Sequence, residues 1–137
     1  MITFNYETPF NLKDEFKIAS WIEHIVVSEG FVLGEISYIF CDDLFLNQIN
    51  KEFLKHDTLT DIISFDYCLD KQVNGEIYIS IERVIENAQL FHVSFENELN
   101  RVMIHGVLHY LGYKDKTTEE KKTMRLKENT CLNELNI

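Results

Sequence analysis

The sequence predicts an α+β fold, a single domain in which a mixed four-stranded sheet carries about five helices. Two observations carry that class. Runs rich in β-formers, alternating or continuously apolar, occur at 2–7, 32–41, 62–67 and 76–80. Stretches with helical spacing separate the first three runs and fill the C-terminal half, whereas only a short connection joins the third run to the fourth. A third observation adds a site. From Val102 to Leu111 the only strongly polar side chains are His105 and His109, in a stretch otherwise apolar all round. This places a metal site at the C-terminal end of a central buried helix.

Ile2 to Glu7 alternates apolar and polar residues as a first strand, which Pro9 ends. Asn11, with Asp14 three residues on, caps a helix that carries Leu12, Phe16, Ala19, Ile22 and Ile25 on one side and stops at Gly30. Trp21, Val26 and Val27 widen its apolar face. Val32 to Cys41 forms a second strand, and Asp42 and Asp43 cap a short helix, about Leu44 to Leu54, with Phe45, Ile49 and Phe53 inward. Lys55 to Asp61 is a polar connection. Ile62 to Tyr67 is a third strand, and Asn74 and Gly75 turn into a fourth ending at Ser80. Ser80 caps a helix running to about Phe91 with Ile81, Val84, Ile85 and Ala88 along one side. Ser94 caps the histidine helix, whose first turn holds Glu96 and Glu98 near the positive end of its dipole. Thr117 and Glu120 form a capping box for a last helix that docks through Met124, Cys131 and Leu135. The order of the strands cannot be read from the sequence.

At 137 residues and 45% hydrophobic composition, residues 1–137 read as one domain able to bury a core without staples. Cys41, Cys68 and Cys131 are odd in number and far apart, so they read as reduced small hydrophobes and not as a disulfide framework or a Cys-x-x-Cys zinc site. No run of about 18 apolar residues is present to span a membrane, and the N-terminus lacks the basic start and apolar run of a signal peptide, which points to the cytoplasm. A net charge of −10 argues against coating nucleic acid by bulk electrostatics. The charge is unevenly spread. Between Lys114 and Lys127, six basic residues stand against three acidic ones, a net +3 that leaves −13 elsewhere. A positive patch therefore lies beside the histidines, suited to phosphates through Lys114 and Lys116 or equally to a solvated helix face.

Residues four apart on a helix lie on one face about one turn apart, so His105 and His109 aim two imidazoles at a common point. Buried imidazoles need partners for their ring nitrogens, and one cation satisfies both. Gly112 then supplies the left-handed residue of a helix C-terminus, which turns the chain back so that Asp115 becomes the third ligand. Two imidazoles and a carboxylate suit one Zn2+ per chain, with a fourth position for water, as in catalytic sites. Zinc proteases also use two histidines at this spacing, but their His-Glu-x-x-His pattern needs a glutamate where this chain has Gly106. Glycine inside a helix costs about 1 kcal/mol relative to alanine, so Gly106 signals the close approach of another element's backbone or of a substrate.

His-Gly-Val-Leu-His-Tyr-Leu-Gly-Tyr at 105–113, Thr-Asp-Ile-Ile-Ser-Phe at 60–65 and Gly-Glu-Ile-Tyr-Ile-Ser at 75–80 together resemble the YbeY family of bacterial zinc endoribonucleases, in the family's order and across nearly the whole chain. The resemblance implies a single YbeY-like metallohydrolase domain and a cytoplasmic, single-strand-specific endoribonuclease. It would act in maturation of the 16S ribosomal RNA 3′ end and in ribosome quality control, cutting phosphodiesters with a zinc-bound water. The implied partners are single-stranded RNA and ribosomal RNA or ribosomal subunits. Asp115 matches the family's third histidine, giving the ligand set His105, His109 and Asp115. In Ile-Asn-Lys-Glu-Phe-Leu at 49–54, Leu54 stands where an arginine serving the RNA is usual, and Lys55 or His56 is the neighbouring candidate for that task. Beside this reading stand a ribosome-associated RNA-binding protein whose metal is mainly structural, and a zinc hydrolase of other substrates. No dedicated general base is visible.

Overall fold

The computed structural model describes residues 1–54 and 60–135. In chain order it contains β1 (Ile2–Tyr6), α1 (Glu15–Ser28), β2 (Val32–Cys41), α2 (Asp43–Ile49) with a π-helical turn Asn50–Leu54, β3 (Ile62–Asp66), β4 (Gln72–Ser80), α3 (Ile81–Leu90), α4 (Phe95–Tyr110) and α5 (Thr118–Leu135). The sheet order is β1-β2-β4-β3. β1, β2 and β4 run parallel, and β3 pairs antiparallel with β4, so the mixed α+β architecture expected from the sequence is the one observed.

β2 and β4 are the central strands, and their inward residues Ile36, Tyr38, Phe40, Ile77 and Ile79 are fully buried. α1 and α4 cover this face with Ile22, Val26, Met103, Ile104 and Leu108, also fully buried. α4 is held in place by a polar tie. The Tyr38 hydroxyl donates to the Met103 carbonyl at 2.9 Å, satisfying a phenol that burial would otherwise strand. Trp21 Nε1 donates to the Cys131 carbonyl at 2.8 Å and fastens α5 to α1. On the opposite face α2 packs through Leu46 onto Cys41 and Ile63.

Several boundaries and faces differ from the expected ones. The cap of α1 is Asp14, whose carboxylate accepts from the Lys17 amide, and not Asn11. Phe16 is 83% exposed, because six residues from Ile22 is about 600° of helix and falls off the stripe of Ile18, Trp21, Ile22, Ile25 and Val26. Val27 lies outside that stripe too and is exposed. The second helix changes to π winding at Asn50, which shifts its phase. Phe53 is consequently exposed and meets Phe65 edge-on at 5.9 Å, while Leu46 takes the buried place. Ile85 is exposed on α3, and β4 starts earlier than expected, at Gln72. The caps Asp42, Ser80 and Ser94 and the Thr117–Glu120 capping box all form. The three cysteines are free, as expected.

Candidate metal centre

The site is built where α4 ends and the chain doubles back into α5. Gly112 adopts φ +99°, its amide donates to the His109 carbonyl at 3.1 Å, and the Tyr113 amide donates to the Leu108 carbonyl at 3.0 Å. This is a Schellman close. It reverses the chain within three residues and returns Asp115 to the histidine face. The capping box at Thr117 then starts α5, which runs back along α4.

His105 Nε2 and His109 Nε2 lie 3.0 Å apart, and each is 3.3 Å from Asp115 Oδ2. Tetrahedral ligands at about 2.0–2.2 Å from zinc are separated by about 3.3–3.6 Å. Three atoms at 3.0–3.3 Å therefore fit one such ion with its fourth position open. The structure thus brings together all three ligand residues expected from the sequence.

Behind the ligands stands a carboxylate that sequence reasoning missed. Glu128 of α5, only 5% exposed, places Oε2 2.7 Å from His105 Nδ1. Its Oε1 accepts from Arg101 Nη1 at 2.9 Å, and Arg101 Nη2 donates to Asn129 Oδ1 at 2.8 Å. A proton held on Nδ1 by this carboxylate leaves the Nε2 lone pair facing the metal position, the usual way of orienting a ligating imidazole. Burial disfavours the charged form of His105, but the hydrogen bond and charge of Glu128, with Asp115 and Asp61 further off, outweigh it and raise its pKa. Burial pushes the Glu128 carboxyl up, and the His105 and Arg101 hydrogen bonds overcome this and lower it. The available signal was a charged residue on a docking stripe, since Met124, Glu128, Cys131 and Leu135 recur every three or four residues and all are buried.

A cavity of about 370 Å3 opens beside His105 and Asp115. Asp61, Glu98, Arg101 and Phe91 line it along with Lys121 and Arg125 of α5. Burial, in each case the leading cause, holds the carboxyls of Asp61 and Glu98 above the usual carboxylate range. Glu98, 5% exposed, lines this cavity instead of resting as a solvated dipole partner on the first turn of α4. Its spacing with Arg101, His105 and His109 puts all four on one α4 face. Lys114 and Lys116 line a second cleft together with His109 and Asp115. Lys55 and His56 lie outside the described residues.

Gly106 faces the sheet. A Cβ there would come within 3.1 Å of the Cδ1 atoms of Ile62 and Ile77, so it is β3 and β4 side chains, neither backbone nor substrate, that approach it. Ile62 and Ile77 belong to the two other motifs singled out in the sequence. Gly75 is tighter still. A Cβ there would collide with the Tyr110 hydroxyl and stand 2.7 Å from the Phe65 carbonyl oxygen, the same carbonyl to which Tyr110 donates at 2.8 Å. The three motifs thus meet at one α4–sheet contact behind the metal ligands.

No helix among the described residues is long and apolar enough to cross a membrane. A family model described as Endoribonuclease YbeY matches residues 3–136. Among similar proteins, the endoribonuclease YbeY of Flavobacterium psychrophilum is 56% identical over 132 residues, which cover 96% of this chain and 94% of that protein. That of Bacteroides thetaiotaomicron is 43% identical over 112 residues, 82% of each chain. The solution structure of TM1509 from Thermotoga maritima superposes with a TM-score of 0.71 at 28% identity, covering 98% of this chain and 89% of that one. Matched along nearly its whole length, with His105, His109 and Asp115 gathered at one point, the chain belongs to the endoribonuclease YbeY family.

Proposed function

We propose that this chain is a zinc-dependent endoribonuclease that cuts single-stranded RNA, acting in the cytoplasm on ribosomal RNA in 16S 3′-end maturation and ribosome quality control, with residues 1–137 working as one metallohydrolase domain. The observation that carries the reading is the triad of ligand atoms at 3.0–3.3 Å, open on one side to clefts lined by cations. His105, His109 and Asp115 would hold the ion. When bound, zinc supplies Lewis acidity toward a phosphoryl oxygen and acidifies a water near neutral pH. Glu128 keeps the Nδ1 proton of His105 in place, and so keeps Nε2 aimed. Lys114 and Lys116, beside His109 and Asp115, bind backbone phosphates and neutralise charge that develops during cleavage.

The test uses purified protein carrying one equivalent of zinc and RNA fragments that span the 16S 3′ end. Cleavage confined to unpaired segments, lost in His109→Ala together with zinc, is the expected result. Uncut RNA, or full activity in His109→Ala, refutes the reading. One observation favours a structural share for the metal. Asp115 lies between α4 and α5, so an ion there also ties these helices together. Following unfolding and cleavage separately after chelation distinguishes the two, because a purely structural metal changes the first with no cleavage in either state.

A further inference from the structure

The 370 Å3 cavity beside the ligands has a composition that metal binding does not account for. Its size falls within the range of about 300–1,000 Å3 typical of small-molecule sites. Val102 and Met124 give it an apolar lining. At its lip sits Phe91, 52% exposed, at the C-terminal end of α3. Singly exposed aromatics are common on surfaces. This one overlooks a cavity that also touches two metal ligands.

Glu98 distinguishes the cavity further. The residue is only 5% exposed, and its carboxylate makes no hydrogen bond or ion pair among the described residues. A largely buried acid that meets favourable charge only through space, from Arg101 and Arg125, is costly, and it lines the cavity. An occupant offering N–H donors would satisfy it. Lys121 and Arg125, one helical turn apart on α5, stand on the same lining. Lys121 makes no ion pair among the described residues, and Arg125 has only a 3.8 Å approach to Glu128.

An aromatic face, a buried acceptor and two available cations around a slot next to a hydrolytic metal match the parts of one nucleotide. The geometry points to a base-binding subsite in which an unpaired nucleobase of single-stranded RNA stacks on Phe91, presents its N–H edge to Glu98, and has its flanking phosphate on Lys121 and Arg125. Guanine is the favoured base, because its adjacent imino and amino N–H groups match the two oxygens of a carboxylate. The subsite rests on the endoribonuclease reading and deepens it. A base held in a duplex cannot enter the slot, which gives single-strand preference a structural cause.

The test steps one abasic nucleotide through a short single-stranded RNA. Wild-type KM should rise about tenfold at one position near the cut, the order of one lost base–aromatic stack. Phe91→Ala should raise KM on intact RNA by a similar factor with kcat little changed, and should show no further penalty at that abasic position. Phe91→Tyr should restore KM, and Glu98→Gln should abolish the preference for guanine there. Binding is read without cleavage in Phe91→Trp, whose added fluorescence should be quenched by intact RNA and much less by the abasic one; native Trp21 is buried. Unchanged KM in Phe91→Ala, additive penalties, or no quenching overturns the subsite. Quenching by an RNA that the zinc-loaded wild-type protein leaves uncut would retain the subsite and refute the nuclease reading instead.

Discussion

Glu128 Oε2 and His105 Nδ1 are 2.7 Å apart across the α4–α5 contact, and Arg101 holds the other Glu128 oxygen at 2.9 Å. The pair fixes which His105 nitrogen points at His109 and Asp115. Glu128→Gln removes the charge while keeping the volume, and its single carbonyl oxygen can serve His105 or Arg101 but not both. Loss of such a supporting partner typically weakens metal binding about 10- to 100-fold. Chelator competition should show zinc affinity falling in that range, with the three ligands untouched. Equal affinity in Glu128→Gln and wild type would refute the orienting role.

The same pair sets a pH signature. A proton on His105 Nε2 competes with zinc, and the His105 pKa stands above its ordinary value because Glu128 and the neighbouring carboxylates outweigh burial. Zinc affinity should therefore start to fall, on acidification, at a pH above the usual histidine range. In the zinc-free protein the sign reverses. A raised folded-state pKa contributes stability that is fully present below the unfolded histidine value and is lost as pH rises through the folded value. The thermal shift produced by zinc should grow as pH rises across this window. A shift that is flat or shrinks on going alkaline contradicts the assignment.

Zinc removal should lower stability through simple mass action. An ion present at about 100 times its Kd stabilises the folded state by about 2.7 kcal/mol, which for a chain of this size is several degrees in Tm. His109→Ala should lose most of this zinc-dependent shift while changing the zinc-free Tm much less, because His109, its side chain 34% exposed, is not a core residue. Scanning calorimetry with and without chelator decides. A zinc-free Tm equal to the zinc-bound one would show that the ligands are not held by a metal in solution.

Much of this site could be read from the chain because its signals are local. His105, His109, Gly112 and Asp115 fall within eleven residues, and helix geometry with a Schellman close is enough to converge them. The strands, and the caps Asp42, Ser80, Ser94 and Thr117, were legible for the same reason, whereas the cap of α1 is Asp14 and not Asn11. Glu128 and Glu98 were not. Each is a charged residue on a helix face, and only the docking of α5 on α4, and of α4 on the sheet, makes the first a partner of His105 and the second a buried acceptor. Phe16 and Phe53 failed in the opposite direction. Apolar residues need not be inside: Phe16 sits off the buried stripe of α1 by its spacing from Ile22, and a turn of π winding carries Phe53 to the exposed face.

Gly106 and Gly75 invite a paired comparison, since both are packed against their neighbours but by different kinds of atom. At Gly106 an added methyl meets side-chain atoms, the Cδ1 ends of Ile62 and Ile77 at 3.1 Å and Ile77 Cγ2 at 3.4 Å, while alanine gains about 1 kcal/mol of helix propensity over glycine. The two effects oppose each other, so Gly106→Ala should leave stability within about 1 kcal/mol of wild type, whereas Gly106→Val should overpack and cost about 1–3 kcal/mol. At Gly75 the methyl meets the Tyr110 hydroxyl and, at 2.7 Å, the Phe65 carbonyl oxygen, which belongs to the backbone of β3. Backbone yields less readily than the end of an isoleucine. Gly75→Ala should therefore be the more destabilising alanine substitution, and adding Tyr110→Phe should not rescue it, because the carbonyl remains in the way and loses its donor. Urea denaturation of the four variants checks the order. Full rescue by Tyr110→Phe would show that the hydroxyl alone excludes a side chain at this position.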